Sequence, residues 1–183
     1  MKSYLITDPS LYGDDARTLS DRLERVLQKH SVDFFCFRDK TTPLYRQLSE
    51  TVIQKVRENS DAKILLHGDY NLAHTLGVNG VHLASTQFES IKSAKDLGLY
   101  VIISTHTHDE VEKAQKIGAD AVTYSPIYES PNKGNPKGLE DLKLIVDKIS
   151  IPIFALGGIV SQEQINAVEA AGAYGFASIR YFI

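Results

Sequence analysis

Short apolar runs alternate along this chain with longer segments in which apolar residues recur at helical spacing. The short runs lack polar alternation, which is typical of strands buried on both faces of a parallel sheet. The longer segments, such as residues 20–30, 46–59, 108–118 and 139–149, have the spacing of amphipathic helices. We predict strands near residues 4–7, 34–38, 64–67 and 152–156, and at the ends of residues 74–83, 96–104, 116–124 and 170–178.

An order of helix, glycine and strand recurs through most of the chain. Strands that alternate with helices of this length need right-handed crossovers and a parallel sheet. Eight such strands favour a closed (β/α)8 TIM barrel, which belongs to the α/β class. No linker rich in Pro, Gly or Ser divides the 183 residues, so we predict a single domain over residues 1–183.

The predicted barrel is short, because such barrels typically need about 200 residues or more. Only a few residues follow the predicted eighth strand, so we expect the eighth helix to be missing or truncated. Its absence would leave an apolar seam between the first and the seventh helices. We expect either a second copy of the chain, in a homodimer, or residues 9–19 to cover that seam.

Composition and charge narrow the choice of partners. The formal net charge of -3 and the lack of a basic stripe argue against nucleic acid. No apolar stretch approaches the roughly 20 residues of a membrane span, and the first residues lack a signal-peptide core. The single cysteine, Cys36, lies in an apolar strand and is expected to be a core residue. We expect a cytoplasmic protein without membrane partners.

Two adjacent glycines, Gly157 and Gly158, follow the apolar run of residues 151–156. Ser161 and Gln164 come next and have the form of a capping box that opens a helix. Backbone N–H groups beside the start of a helix can hold an anion without a basic side chain. A plain tight turn is the alternative, but the order of strand, turn and helix favours a phosphate site.

Active sites of parallel barrels lie at the carboxyl ends of the strands. Arg38 and Lys40 follow the second strand and can bind phosphate, or they can pair with Asp8 or Asp39 at the barrel rim. His67 ends the third strand, where a neutral imidazole could transfer a proton or could simply bond to backbone.

The fourth and fifth strands add two further polar residues. His82 has apolar neighbours and is expected to be a core histidine with its hydrogen bonds satisfied. Ser104 is a strand-end hydroxyl that could face a substrate. The histidines after it lack a third ligand for a metal site, and Thr107 with Glu110 instead fits a capping box.

The longest predicted loop spans residues 125–138 and holds three of the six prolines. Loops longer than about 12 residues inside a compact domain are usually functional or disordered. Lys133 lies at the centre of this loop with Ser130 and Asn132. A lid that brings a lysine to a phosphate or pyrophosphate fits this composition, and plain surface mobility is the alternative.

In order and spacing, seven motifs resemble those of the thiamine phosphate synthase and TenI family of barrels. The resemblance covers nearly the whole chain. The motifs are YLITD (4–8), FRDK (37–40), LGVNGVHL (76–83), ISTHT (103–107), IGADAVTYSPIYESPNKG (117–134), IPIFALGGI (151–159) and AGAYGFA (171–177).

The resemblance implies a synthase that joins hydroxymethylpyrimidine pyrophosphate to thiazole phosphate and releases pyrophosphate with the help of Mg²⁺. Five positions match the family's functional residues: Arg38, Lys40, Ser104, Lys133 and the glycine turn. The resemblance places Arg180 where the family has the serine that closes strand eight, and Arg180 could add a phosphate contact.

Other positions depart from the family pattern. Gly68 and Gln87 stand where the family has its two magnesium aspartates, and neither supplies a carboxylate, although Asp69 could serve in a shifted register. The resemblance therefore implies Mg²⁺, while the residues argue against it. The TenI branch moves a double bond in a thiazole carboxylate phosphate with a histidine after strand six. Pro126 occupies that place here, so His67 would have to transfer the proton.

The leading hypothesis is a phosphate-binding enzyme of thiamine (vitamin B1) biosynthesis that resembles thiamine phosphate synthase. A TenI-like thiazole tautomerase and a non-catalytic protein that binds a thiamine precursor are the alternatives. Small phosphorylated thiazole and pyrimidine compounds are the expected ligands. We expect catalysis to involve His67, Lys40 and Ser104, and phosphate binding to involve Arg38, Lys40, Ser130, Asn132, Lys133, Gly157, Gly158 and Arg180.

Overall fold

The structure, a computed structural model, describes residues 1–131 and 133–183. Its eight strands are Lys2–Ile6 (β1), Phe34–Phe37 (β2), Lys63–His67 (β3), Gly80–Leu83 (β4), Tyr100–Thr105 (β5), Ala121–Tyr124 (β6), Ile153–Leu156 (β7) and Gly175–Ser178 (β8). Each strand pairs in parallel with the next, and β8 pairs with β1, so the sheet closes into a barrel. The predicted (β/α)8 fold and the positions of all eight strands are confirmed.

Helices alternate with the strands. They are Pro9–Tyr12 (α1), Ala16–Lys29 (α2), Tyr45–Asn59 (α3), Tyr70–Thr75 (α4), Ser90–Asp96 (α5), His108–Ile117 (α6), Gly138–Lys148 (α7) and Gln162–Ala170 (α8). The one-turn helix α1 was not predicted, although Asp8 as its N-cap and Pro9 at its first position are typical signals. No helix in the described ranges is both long and apolar enough to cross a bilayer.

Both predicted N-caps are confirmed, whereas the Gln164 and Glu110 side chains accept from the amide one residue before the N-cap, those of Val160 and His106. The Ser161 hydroxyl accepts a hydrogen bond from the Gln164 amide at 3.3 Å, at the start of α8. The Thr107 hydroxyl accepts one from the Glu110 amide at 3.2 Å, at the start of α6. These local bonds satisfy N–H groups that have no partner within the helix, and they fix where each helix begins.

Aromatic side chains fill the amino-terminal half of the barrel. Tyr4, Phe34 and Phe154 meet edge to face, with ring centroids 5.1 to 5.9 Å apart. Cys36 is fully buried in the same interior cluster, as expected of a core residue. Because this end is packed with side chains, the barrel can receive a ligand only at the carboxyl ends of its strands.

The residues after β8 cover the predicted seam. No helix follows β8 within the described residues, as expected. Phe182 stacks on Phe176 and meets the His30 ring edge-on at 5.6 Å, beside the end of α2. The Tyr181 hydroxyl donates to Gln162 Oε1 at 3.2 Å, at the start of α8. The helices α2 and α8 are the predicted first and seventh helices. These residues therefore span the predicted seam between them.

Helix α1 closes the same region from the barrel rim. Tyr12 is fully buried, and its hydroxyl donates to the Ile179 carbonyl at 3.0 Å. Residues 9–19, one of the two predicted covers, thus contribute to the closure. The homodimer stays a prediction, because the contacts within one chain do not test it.

We expect Phe182→Ala to lower the free energy of unfolding by about 3 kcal/mol, because it removes a buried ring from the seam. Phe182 is 2% exposed, whereas its neighbour Ile183 is 63% exposed and provides a matched control. Ile183→Ala should change the free energy of unfolding by less than about 0.5 kcal/mol. Urea titration measures both, and equal effects of the two substitutions would show that the terminal residues do not close the barrel.

Candidate functional site

A cavity of about 520 Å³ opens at the carboxyl ends of the strands. It is lined by residues from the ends of all eight strands and by the loop after β6. The structure brings together nine of the ten predicted site residues, and Asn132 lies outside the described residues. The nine are Arg38, Lys40, His67, Ser104, Ser130, Lys133, Gly157, Gly158 and Arg180.

Positive charge is concentrated in this cavity. Its described lining holds four cationic side chains, from Arg38, Lys40, Lys133 and Arg180, but a single carboxylate, that of Asp8. The chain as a whole has a formal net charge of -3. A positive cavity on an acidic protein attracts a ligand that carries several negative charges, such as a phosphate or a diphosphate.

Asp8 pairs with Arg38, which is one of the two pairings considered from the sequence. The Arg38 guanidinium donates to Asp8 Oδ2 at 3.0 Å, and the Ser10 hydroxyl donates to Oδ1 at 2.6 Å. Burial alone would raise the pKa of Asp8, but these hydrogen bonds outweigh it and lower the pKa. Because a guanidinium has five N–H donors, Arg38 keeps others for a ligand.

Asp39 does not pair with Lys40. Its Oδ1 accepts a hydrogen bond from the Thr41 amide at 2.9 Å and holds the loop after β2. Among the described residues, Lys40 has no carboxylate within 4 Å. Partial burial, followed by the charges of Arg38 and Lys133, lowers the pKa of Lys40. An anion between these cations would relieve their mutual repulsion.

Close packing explains the two glycines after β7. Gly157 and Gly158 have φ angles of +101° and +70°, which side-chain-bearing residues rarely adopt. The Tyr128 amide donates to the Gly157 carbonyl at 3.0 Å. A Cβ atom at Gly158 would lie 2.5 Å from the Glu129 carbonyl oxygen. The loop after β6 therefore leaves no room for a side chain at this turn.

The turn also exposes N–H groups. Within the described residues, no acceptor takes the amide hydrogens of Gly157 or Gly158. The Ser178 hydroxyl, at the end of β8, donates to the Ile159 carbonyl at 2.7 Å and holds the turn from the other side. The predicted phosphate turn thus has free donors on a fixed backbone next to α8. The assignment of Arg180 to the place of the family's serine that closes strand eight is wrong, because Ser178 ends β8 and Arg180 lies beyond it. Ser178 itself was not predicted, although a hydroxyl that ends a barrel strand is a signal for the rim.

The predicted long loop is anchored at its base. The Lys137 amide donates to the Pro126 carbonyl at 2.9 Å, and the Gly138 amide donates to the Ile127 carbonyl at 3.1 Å. Ser130 and Lys133 line the cavity from this loop. The two ends of the loop are therefore bonded to each other, and Lys133 lies at the cavity between them.

His67 lies at the cavity wall as a neutral imidazole. Burial, followed by the charges of Arg38 and Lys40, lowers its pKa from 6.5 to about 4. Its ring makes no hydrogen bond to the described residues, so the alternative of a rim histidine bonded to backbone is not observed for the ring. An unprotonated imidazole facing a cavity can accept a proton.

His82 links the cavity to the barrel interior. It is 3% exposed, as expected of a core histidine. Its Nδ1 lies 2.7 Å from the Tyr4 hydroxyl, and its Nε2 lies 2.9 Å from Ser104 Oγ. The sequence analysis missed this connection, because Tyr4 and His82 are far apart in the chain and meet only across the closed barrel.

The residues present do not fit Mg²⁺. Gln87 Nε2 donates to the Gly68 carbonyl and Gln87 Oε1 accepts from the Ala84 amide, both at 2.9 Å. Asp69 is engaged as the N-cap of α4, where it accepts from the Leu72 amide at 2.8 Å. Among the described residues, no group of three or more His, Cys, Asp or Glu side chains could hold a metal. Mg²⁺ prefers carboxylate oxygens, and the residues at these positions do not supply them.

A larger depression, of about 740 Å³, lies at the opposite end of the barrel. Its Lys2 pairs with Asp33 at 2.7 Å, and its Lys63 lies 4.8 Å from the centroid of the Tyr100 ring. These cations already have partners within the chain. The amino-terminal face of a barrel serves stability, so the smaller cavity is the candidate functional site.

Comparisons with known proteins show which family the chain belongs to. The family model described as thiamine monophosphate synthase matches residues 3–182. The thiamine-phosphate synthase of Caldicellulosiruptor bescii is 30% identical over 183 residues, covering 94% of this chain and 83% of that protein. The thiamine-phosphate synthase of Lactococcus lactis subsp. cremoris is 30% identical over 164 residues, covering 84% of this chain and 74% of that protein.

A solved structure gives the same result. The thiamine phosphate pyrophosphorylase from Pyrococcus furiosus superposes with a TM-score of 0.81 at 27% identity, and the match covers 97% of this chain and 85% of that one. Together with the match of residues 3–182, this shows that the chain belongs to the thiamine monophosphate synthase family.

Proposed function

We propose that this protein is a thiamine-phosphate synthase, which joins hydroxymethylpyrimidine pyrophosphate to a thiazole phosphate. One observation carries the proposal. The described lining of a single cavity holds four cationic side chains and two backbone amides with free hydrogens, but only one carboxylate. Two phosphorylated substrates need this kind of charge at two places. The family membership supports the same choice.

Each substrate has its own part of the cavity in this proposal. The amides of Gly157 and Gly158 hold the thiazole phosphate, and Arg180 lies close enough in the lining to add a charge. Arg38, Lys40 and Lys133 face the pyrophosphate, where Ser104 adds a hydroxyl. Ser130 lines the cavity and adds a second hydroxyl for phosphate, and Asn132 stays a prediction.

The chemistry that these groups serve is a substitution at a methylene carbon. The carbon–oxygen bond to pyrophosphate breaks, and its electron pair leaves with the pyrophosphate. The lone pair of the thiazole ring nitrogen forms the new carbon–nitrogen bond. Fixed cations stabilise the negative charge that develops on the leaving group, which is electrostatic catalysis by a preorganised site.

The setting of the protein is part of the proposal. We propose that residues 1–183 act as one domain in the cytoplasm, where the free, buried thiol of Cys36 would stay reduced. The proposed ligands are the two phosphorylated substrates, and the homodimer stays a prediction. If the substrates bind without reaction, the protein is a carrier of a thiamine precursor, which is the non-catalytic alternative.

Purified protein supplied with both precursors should release thiamine phosphate and pyrophosphate, which chromatography measures. Gly158→Ala should lower kcat/KM by at least about tenfold, because a methyl group there pushes the loop and the anion-binding amides apart.

Gly98→Ala is the matched control. Gly98 has a similar φ of +77°, but nothing lies within 4 Å of its added Cβ. Both substitutions carry the same backbone strain of about 1 kcal/mol, so only Gly158→Ala tests the turn. If no product forms but thiazole phosphate still raises the melting temperature, the synthase is excluded, and the carrier and the tautomerase remain.

We propose further that Arg38, Lys40 and Lys133 replace the charge of the Mg²⁺ that the family resemblance implies. Calorimetry with inorganic pyrophosphate in EDTA should then show binding, and added Mg²⁺ should not tighten it. Lys40→Met should weaken this binding by about tenfold or more. Lys137→Met should leave pyrophosphate binding unchanged, because the Lys137 ammonium lies over the Tyr124 ring, outside the cavity. Tightening by Mg²⁺ of more than about tenfold would contradict the proposal.

One observation favours a second candidate, a thiazole tautomerase. Coupling of the two precursors moves no proton, yet His67 is a neutral, unbonded imidazole at the cavity wall. Such a residue could remove a proton from a thiazole carboxylate phosphate.

For the tautomerase, we expect the exchange of substrate protons for deuterium to be lost in His67→Ala. In the wild type, the exchange rate should stay constant from pH 8 to about 5 and fall as the pH approaches 4, because protonation of His67 removes the base. NMR in D₂O measures the rate. A decline centred near pH 6.5, or exchange that survives in His67→Ala, would exclude this role.

A further inference from the structure

We propose that Tyr4 and His82 are positioning residues that orient the Ser104 hydroxyl as a hydrogen-bond donor toward an anion in the cavity. The inference rests on the proposed function, since the anion is the pyrophosphate group of a substrate or product. Ser104 itself touches the ligand, whereas Tyr4 and His82 act through it.

The three side chains form one continuous chain of hydrogen bonds. The Tyr4 hydroxyl lies 2.7 Å from His82 Nδ1, and His82 Nε2 lies 2.9 Å from Ser104 Oγ. Tyr4 is fully buried inside the barrel, while Ser104 lines the cavity. The chain therefore runs from the packed interior to the ligand surface.

The direction of the bonds follows from counting protons. Burial raises the pKa of Tyr4 well above its ordinary value, so the phenol keeps its proton and must donate it. The neighbouring Cys36 sulfur is a weak acceptor, which leaves His82 Nδ1 as the good one. Burial, with smaller effects from the charges of Arg38 and Lys40, lowers the pKa of His82, so its ring holds one proton. That proton lies on Nε2.

Ser104 is then set as a donor. Its oxygen accepts the Nε2 hydrogen of His82, and no other group among the described residues bonds to its hydroxyl. The hydroxyl proton remains available for whatever occupies the cavity. Among Arg38, Lys40 and Lys133, an added neutral donor completes the hydrogen bonding of an anion without increasing the repulsion between cations.

The opposite direction is unfavourable at both ends. If His82 carried its proton on Nδ1, the buried Tyr4 proton would lose its acceptor, which costs about 1–3 kcal/mol. Ser104 would donate to Nε2 and present only oxygen lone pairs to the cavity. Lone pairs repel an anion, so this arrangement would oppose the binding that the cations favour.

Two measurements test the proposal. Nitrogen-15 NMR of the histidine-labelled protein should show His82 with its proton on Nε2. Calorimetry with inorganic pyrophosphate should show that Tyr4→Phe alone weakens binding by about three- to tenfold relative to the wild type. In a Ser104→Ala background, Tyr4→Phe should have no further effect, because the group it orients is gone.

Tyr124→Phe is the matched control. Tyr124 is equally buried, and its hydroxyl donates to Asp141 at 2.6 Å away from the cavity, so pyrophosphate binding should not change. A proton on Nδ1, or equal losses from Tyr4→Phe in both backgrounds, would overturn the inference while the proposed function stands. If the wild type binds neither pyrophosphate nor thiazole phosphate, the proposed function itself fails.

Discussion

Closure of eight parallel strands into one barrel is the constraint on which the site depends. Because every strand runs in the same direction, all eight carboxyl ends meet at one rim, and residues from distant parts of the chain share a single cavity. The aromatic packing of the other end leaves that rim as the place where a ligand can enter. Loss of closure would separate every functional group described above.

Charge is the second level of organisation. The barrel itself is neutral inside, with His67 and His82 both kept unprotonated by burial. The cations lie one layer higher, at the rim, where solvent and a ligand can reach them. Neutral hydrogen-bonding side chains therefore lie at the bottom of the cavity and cationic side chains lie around its rim. This arrangement suits a ligand with an uncharged ring and charged phosphate groups.

Local patterns predicted much of this architecture. The Gly157–Gly158 turn, the capping boxes and the cationic residues after β2 can be recognised in a few neighbouring residues. The pairing of Arg38 with Asp8 was one of the alternatives that the sequence allowed, and the structure selects it. Contacts that depend on closure could not be predicted, such as that of Tyr4 with His82 across 78 positions of sequence. The bond between Gly68 and Gln87 is of the same kind, since two separate loops must come together before either residue acquires a partner.

The central claim is that the amides after β7 hold an oxyanion. Proton–nitrogen NMR during a titration with thiazole phosphate tests it most directly, because a phosphate that accepts an amide hydrogen moves that resonance downfield. The account predicts large downfield shifts at Gly157 and Gly158 with small changes at Lys63 and Asp33 at the opposite end of the barrel. Unchanged glycine resonances in the presence of saturating ligand, or shifts confined to the opposite end, would contradict it.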